Sequence, residues 1–580
     1  MMKRTADEIL YTDVLVVGGG AAACSAAISA KNEGSDVLVV DKGELGKSGC
    51  SPNAHGGMAV YNKDERDNWK IHAGDTLMSG GFLNNQEVVK VLCQEGFKFV
   101  RRLEEYGSLW DRDEDGTFSV RKFGGHRYKR SVFSGDETGH EMMNGLKREI
   151  SRLNIHVVEE AMVTRLLVED GSVVGALAWS LATGEFIEVK AKSIVLATAD
   201  ASGVWPSASE RQRGDGSYLA FEAGAELTDM EFIQYHPTHA WWPYGVRGSV
   251  SESFRSEGGY LLNSEGERFM QRYDPEKMEL ATRDKVSVCI YREILAGRGS
   301  PHGGVYATVA HLDPDYIERR LRLIFRKYMS YGFDIRKQPI EIHPRPHYHC
   351  GGVIANEKAE TTVSGLFAAG AVSAGVHGAN RLGSNALVDI LVFGDIAGRN
   401  AASRARNMKK RICNVQPQID QEIGRITGMI SKSPNNPIRI PSIRRRHWEM
   451  MNKYVGVLRI EEGLKSMLKE IERTKTDELP NIMIKDKSHY YNYEVKDALE
   501  IPFRLTVEEL AARAAEMRKE SRGSHFRDDY PKRNDKEWLK NIVFYKKDDE
   551  IISEYRDVKM SIMKLEEMPD YYATSDSPWH

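Results

Sequence analysis

Cysteine is scarce in this chain, with six in 580 residues, at positions 24, 50, 93, 289, 350 and 413. No two stand at the C-x-x-C spacing of a zinc or iron–sulfur site, so the expectation is a chain with no metal cluster of its own. Six scattered thiols leave no disulfide framework and point to a reducing, cytoplasmic setting. Net charge is nearly absent as well. The 81 Lys and Arg against 84 Asp and Glu give a formal charge of -3. No global field therefore draws the chain to nucleic acid or to an anionic membrane, and an anionic ligand must be met by local charge. Long apolar runs are missing too: the two longest uncharged stretches, within 13–31 and 360–381, are filled with Gly, Ala and Ser. Neither is the continuous run of roughly 18 apolar residues that a membrane helix needs. Residues 1–11 lack the basic-then-apolar pattern of a secretory signal. With 41% apolar and 28% charged residues, 51 Gly and only 19 Pro, disorder and collagen-like repeats are excluded. At roughly 150 residues per domain the length implies three or four units rather than one core.

What is present begins at Thr12. A short apolar run to Val17 leads into Gly18-Gly19-Gly20-Ala21-Ala22-Ala23, an Ala/Ser-rich helical stretch to Lys31, and a second apolar run, Val37 to Val40, that ends in Asp41. Strand, glycine turn, helix, strand and acid in this order form a dinucleotide-binding unit. Gly18 permits the tight turn, Gly20 lets the backbone approach a pyrophosphate at the helix N-terminus, and the small Ala23 allows close helix–strand packing. Asp41, about 20 residues on, is placed to accept from a ribose hydroxyl. The pattern alone leaves FAD and NAD open.

Further motifs follow: Lys47-Ser48-Gly49-Cys50, His55-Gly56-Gly57-Met58, Phe123-Gly124-Gly125-His126, Thr138-Gly139, Gly214-Asp215-Gly216, the run Glu231 to Thr238, and the run His377 to Asn385. Together they resemble, in order from about Thr12 to Trp538, the flavoprotein subunit of fumarate reductases and succinate dehydrogenases. The resemblance implies an α/β fold, with a Rossmann-like FAD-binding domain, an inserted α+β cap and a C-terminal helical domain. The expected boundaries are 1–239 and 343–415 for the FAD-binding domain, 240–342 for the cap, 416–538 for the helical domain and 539–580 for a tail. It also implies fumarate and succinate as reactants, with hydride exchanged at FAD N5. His236, His347 and Arg381 would clamp the two carboxylates, Ser251 would place a hydroxyl on the substrate, and Phe123 would flank it. Arg283 would donate the proton, resupplied through Glu252 and Arg255. Arginine is a poor general acid by pKa matching, which is why a relay is needed. FAD contacts are expected from Gly18, Gly20, Ala23, Asp41, Lys42, Ser48, Gly56, Gly57, Ala197, Thr198, Asp215, Ser384, Asn385 and Leu387.

The chain departs from the family pattern at the flavin. Cys50 stands six positions before Gly56-Gly57, where membrane-bound members carry the histidine that bonds FAD covalently, so noncovalent FAD is expected. Ala199-Asp200 replaces a Gly-Gly, and Ala371 replaces a glutamate that contacts the ribityl and ribose region. Without a cluster of its own, the chain needs an external electron route, which implies an iron–sulfur partner subunit; methanogen-like thiol:fumarate reductases are among the relatives. An L-aspartate oxidase-type flavoenzyme and a noncatalytic FAD-holding subunit are the competing readings, and adenylylsulfate reductase is a more distant one. The basic stretches 318–327 and 444–447 read as solvated faces.

Overall fold

The computed structural model describes residues 5–47, 49–60, 64–206, 212–246, 248–408 and 413–567. Strand β1 (Glu8–Val17), helix α1 (Ala21–Asn32) and strand β2 (Val37–Val40) form the expected unit. The two strands pair in parallel from Val14↔Val37 to Val17↔Val40. β1 is flanked on its other side by the parallel strand 186–196, which also pairs with 366–368. An antiparallel hairpin, 161–169 with 172–180, and the strand 156–158, parallel to β2, extend the same sheet to seven strands. The inner strands read as unbroken apolar runs because both faces are covered, as parallel sheets require. Ten of the twelve residues of α1 are buried, and its Ala/Ser composition lets the helix 385–407 pack close. A Cβ added to Gly398 of that helix would lie 2.1 Å from the Ala26 carbonyl oxygen, and one on Gly394 would lie 2.6 Å from that of Ala22.

The long strands 233–242 and 340–349 pair antiparallel, with register shifts after Gln234, His236 and Ala240, and run from the nucleotide-binding unit into a separate four-stranded sheet completed by 305–308 and 260–262. That sheet has its own apolar core, including Phe254, Leu261, Phe269, Val286, Ile290 and Ile342. The two strands are thus continuous rods that fix this second unit against the first. Helices 416–431, 440–454, 461–473 and 493–517 follow. His447, in one of the basic stretches read as solvated, is instead buried and bonded to Glu508 and Thr474 at 2.6 and 2.9 Å.

The stretch expected as a tail carries regular structure: 540–547 and 550–557 form a hairpin that pairs with Leu227–Thr228. Its two turn residues, Asp548 and Asp549, both have positive φ, 49° and 64°. That geometry matches the right-handed twist of the flanking strands. Among the described residues no helix is long and apolar enough to cross a membrane, and no group of His, Cys, Asp or Glu is arranged to hold a metal ion.

Candidate active site

The glycine turn after β1 keeps its own side chains away from the start of α1, where the Ala21 N–H donates to Ser51 Oγ at 3.2 Å. Gly18 has φ +118°, and a Cβ there would lie 2.4 Å from the Ala197 carbonyl oxygen, so only glycine fits. A Cβ on Gly19 would lie 2.3 Å from Asp41 Oδ2, which sets the buried Asp41 side chain directly against the turn. On Gly20 a Cβ would meet only Ser51 Oγ, at 3.4 Å. The first turn of α1 has no acidic residue and Gly20 provides no side-chain cap, the arrangement that accepts a pyrophosphate. Ala23 is fully buried in the helix–sheet contact.

The other expected cofactor residues fall into two groups. Thr198 Oγ1, Asp215 Oδ1 and Ser384 Oγ are buried polar atoms without a hydrogen-bond partner. Such atoms are costly to leave unmade and suit a polar cofactor edge. Gly56 lies against Ser384, with 3.8 Å from a Cβ there to Oγ, while a Cβ on Gly57 would press on the Val132 carbonyl oxygen at 2.7 Å. Ala197 and Leu387 are buried apolar walls. Lys42 and Asn385, in contrast, are engaged within the protein. Lys42 Nζ pairs with Asp215 at 2.5 Å and Glu500 at 3.0 Å. Asn385 accepts from His72 and donates to Thr76, both at 2.9 Å. Ser48 lies outside the described residues.

At the replaced Gly-Gly, Ala199 takes the left-handed backbone a glycine would, at φ +66°. The Asp200 carboxylate accepts from Ser202 N and Oγ and from His349 N, at 2.9, 2.8 and 3.0 Å. The extra side chain therefore ties its own loop to the end of the strand 340–349. Burial pushes it up to about 6 despite these bonds.

The expected substrate and proton residues come from six segments, at 123, 236, 251–255, 283, 347 and 381. Arg283 opens the helix 283–293. Its Nε and Nη2 donate to Glu252 Oε2 at 2.9 and 2.6 Å, and its Nη1 donates to Gln234 at 3.2 Å. Glu252 Oε1 accepts from the Gly124 N–H at 3.2 Å and lies 3.6 Å from Arg255 Nη2, and Arg255 Nη1 donates to the Glu279 carbonyl at 2.6 Å. Arg255, Glu252 and Arg283 thus form one contiguous line. Burial alone would raise the Glu252 carboxyl, but Arg283, Arg255 and the hydrogen bonds outweigh it and hold it at about 2. Phe123 is buried against Gly383, whose Cβ position lies 3.2 Å from Phe123 Cβ and 3.7 Å from Glu252 Oε2.

Arg381 is 5% exposed, its Nε has no partner, and its guanidinium lies 4.7 Å from the centroid of the Tyr348 ring. Burial first and Arg283 second lower it to about 10, still cationic at neutral pH. The rings of His236 and His347 meet edge to face at 5.2 Å, and His236 Nδ1 is buried without a partner. Burial and Arg283 push both imidazoles well below their ordinary value, so both are neutral donors. Ser251 is buried just before Glu252 and its Oγ accepts from Ser253 N at 3.3 Å. Two guanidiniums and two neutral imidazoles with unused nitrogens make a site for a small dianion.

Several residues in the quoted motifs carry roles that reading them one by one did not assign. Gln234 Nε2 donates to Asn380 Oδ1 and to the Arg381 carbonyl, at 2.6 and 2.8 Å, and its Oε1 accepts from Arg283, so one amide joins the two cations. Asn380 also donates to Asp284 at 2.9 Å. The C-terminal signature holds this loop from behind. Ser524 N and Oγ both donate to the Ala379 carbonyl, at 2.9 and 2.8 Å, and Gly523 at φ +53° packs on Ala379 with no room for a Cβ. His126 donates to the Gly383 carbonyl at 2.8 Å and accepts from Arg130, which is itself buried between Asp67 and Asp75. A motif marks such residues, but only the folded contacts say what they hold.

Residues 13–387 match the family described as FAD binding domain, and 444–572 match Fumarate reductase flavoprotein C-term. One subunit of the fumarate reductase (CoM/CoB) of Methanothermobacter marburgensis is 42% identical, over 93% of this chain and 98% of that one. The succinate dehydrogenase flavoprotein subunit of Rickettsia bellii is 33% identical over 92% of each. A solved structure of the E. coli quinol fumarate reductase flavoprotein superimposes with a TM-score of 0.91 at 31% identity, covering 96% of this chain and 98% of that one. Adenylylsulfate reductase from Archaeoglobus fulgidus shares the fold, with a TM-score of 0.79 at 20% identity.

Proposed function

This chain belongs to the fumarate reductase and succinate dehydrogenase flavoprotein family and uses FAD, and we propose that it interconverts fumarate and succinate, holding its FAD noncovalently and exchanging electrons with a separate iron–sulfur subunit. The observation that carries the reading is the site itself: two guanidiniums and two neutral imidazoles within electrostatic reach of one another, with Arg381 Nε and His236 Nδ1 unsatisfied. Bound FAD supplies hydride chemistry at its flavin ring. Arg381 takes one substrate carboxylate as a fork, while His236 and His347 donate to the other, with Ser251 beside them. These contacts accelerate the reaction insofar as they tighten when charge develops on the substrate.

Arg283 delivers a proton to the alkene carbon in the reductive direction. It gives up the proton from the guanidinium whose Nε and Nη2 lean on Glu252, and Arg255 recharges the line from its other end. Glu252, ionised between two cations, lowers the cost of passing a proton along it. Gln234 and the Gly124 N–H fix the geometry of that line. Noncovalent attachment is supported by Cys50 at the place of the family's histidine. A partner with iron–sulfur centres is supported by the likeness to proteins that are themselves subunits of fumarate reductase and succinate dehydrogenase.

The test is turnover. Reduced viologen with fumarate should yield succinate, and Arg283→Ala should abolish the yield while flavin content stays constant. Unchanged turnover in that variant would refute Arg283 as the proton donor, and no turnover by flavin-replete wild type would favour an FAD-holding scaffold instead.

A further inference from the structure

A second group of basic side chains lies next to the substrate histidines on the same two strands, and the reaction as derived does not use it. His239 is three residues along from His236 and sits opposite His343 in the register, while His236 sits opposite Arg345. The His239 side chain is 2% exposed and its Nδ1 has no hydrogen-bond partner. His343 is held between Trp241, stacked at 4.6 Å, and Tyr291, edge-on at 5.3 Å. Its Nδ1 donates to the Pro344 carbonyl at 2.7 Å, which leaves Nε2 as its other polar atom. The Arg345 guanidinium lies 5.9 Å from the centroid of Trp241. Lys327 reaches the same place from the helix 322–329, its Nζ 3.2 Å from where a Cβ on Gly248 would stand, and Ser249 next to it bridges to His239.

Lys327, Arg345, His343 and Trp241 are partly exposed, whereas His239 and His236 are buried, at 2% and 4%. After burial, the influences that depress His239, to about 3, are the cations Arg345 and Lys327 and the charged form of His343, which burial itself keeps neutral. The neighbouring carboxylate, Glu341, is taken up by Ser300 and His302 at 2.5 and 2.7 Å. A neutral buried imidazole with an unused nitrogen beside two cations suits an anion and repels a metal ion.

We propose that His239, His343, Arg345 and Lys327 form a capture site for one carboxylate of the incoming dicarboxylate, one step outward from His236 and His347. The inference rests on reading the inner site as a dicarboxylate clamp. In it, the substrate first meets Lys327 and Arg345, passes along the wall of Trp241 and His343, and hands its carboxylate from His239 to His347. Such a site raises the encounter rate without entering the chemical step, so its effect falls on kcat/KM and is screened by salt.

The test uses FAD-loaded protein and steady-state fumarate reduction in wild type, Arg345→Gln and His239→Gln, from low salt to about 0.3 M NaCl. The expected result is a kcat within about two-fold of wild type, a kcat/KM lowered about three- to ten-fold at low salt, and a flatter salt dependence. An unchanged kcat/KM and salt dependence overturns the proposal, as does a kcat that falls in step with kcat/KM. If wild type turns over no fumarate at all, the functional reading fails first, and the capture site is then read without turnover. Sulfate is titrated calorimetrically into Arg381→Gln, which silences the inner clamp, with and without Arg345→Gln. Sulfate affinity about ten-fold weaker in the double variant supports the site, and equal or undetectable binding in both overturns it.

Discussion

Replacing Glu252 by glutamine is the perturbation for which the structure makes the fullest statement. The carboxylate receives two hydrogen bonds from Arg283 and one from Gly124 N–H, with Arg255 at 3.6 Å. Glutamine keeps the shape but not the charge. Its amide nitrogen must face either Arg283 or Gly124, donor against donor. Lowering Glu252 from 4.5 to about 2 corresponds to about 3 kcal/mol at roughly 1.4 kcal/mol per pH unit, the side chain being buried enough that screening is small. The folded value lies below the unfolded one, so this stability is fully present above about pH 4.5 and is lost as pH falls through about 2. Glu252→Gln should therefore melt below wild type at pH 7, and the gap should narrow as the pH falls below about 4.5. In turnover, kcat for fumarate should fall about 10²- to 10⁴-fold, the usual range for losing a proton-transfer partner, with KM changed far less. The assay is reduced-viologen oxidation with fumarate, normalised to flavin content. A flavin-replete variant whose kcat stays within about three-fold of wild type would refute the relay.

Three further outcomes follow from the same geometry. Arg381→Gln removes the fork that meets a carboxylate, and kcat/KM for fumarate should drop by about 10- to 150-fold, the equivalent of about 1.5–3 kcal/mol for a charge-assisted contact. Acid precipitation of the purified protein should release all of its flavin into the supernatant; yellow colour left in the pellet would mean a covalent link, with Cys50 the first place to look by peptide mapping. Gly398→Ala drives a methyl to 2.1 Å from the Ala26 carbonyl, and the protein should lose about 1–3 kcal/mol in a urea titration, as overpacked helix contacts do.

How much could be read from the chain alone depended on whether a residue acts through its backbone or through distant partners. Gly18 and the acid at 41 were legible because a tight turn admits few residues, and β1, α1 and β2 fall where the apolar runs place them. Glu252 and Arg255, three apart, look alike whether they coat a helix or line a relay, and only Arg283, from another helix, decides between the two. At Ala199-Asp200 the sequence shows two added side chains without their direction; in the fold the carboxylate of Asp200 bonds to Ser202 and His349. The hairpin 540–557 was missed because its strands carry so many charges. Its alternation and the Asp548-Asp549 turn were the available signal. His239 joins His343 and Arg345 only through the register of two strands about a hundred residues apart; the two-residue spacing of His343 and Arg345 was the only signal within one strand.

The most direct test of the central claim is succinate production by flavin-replete wild type and Arg283→Ala, measured side by side with the same electron donor. The account predicts steady conversion of fumarate by wild type and a loss of at least about 10²-fold in the variant, with equal flavin content. Equal succinate from both, or none from wild type under conditions that reduce its flavin, would contradict it.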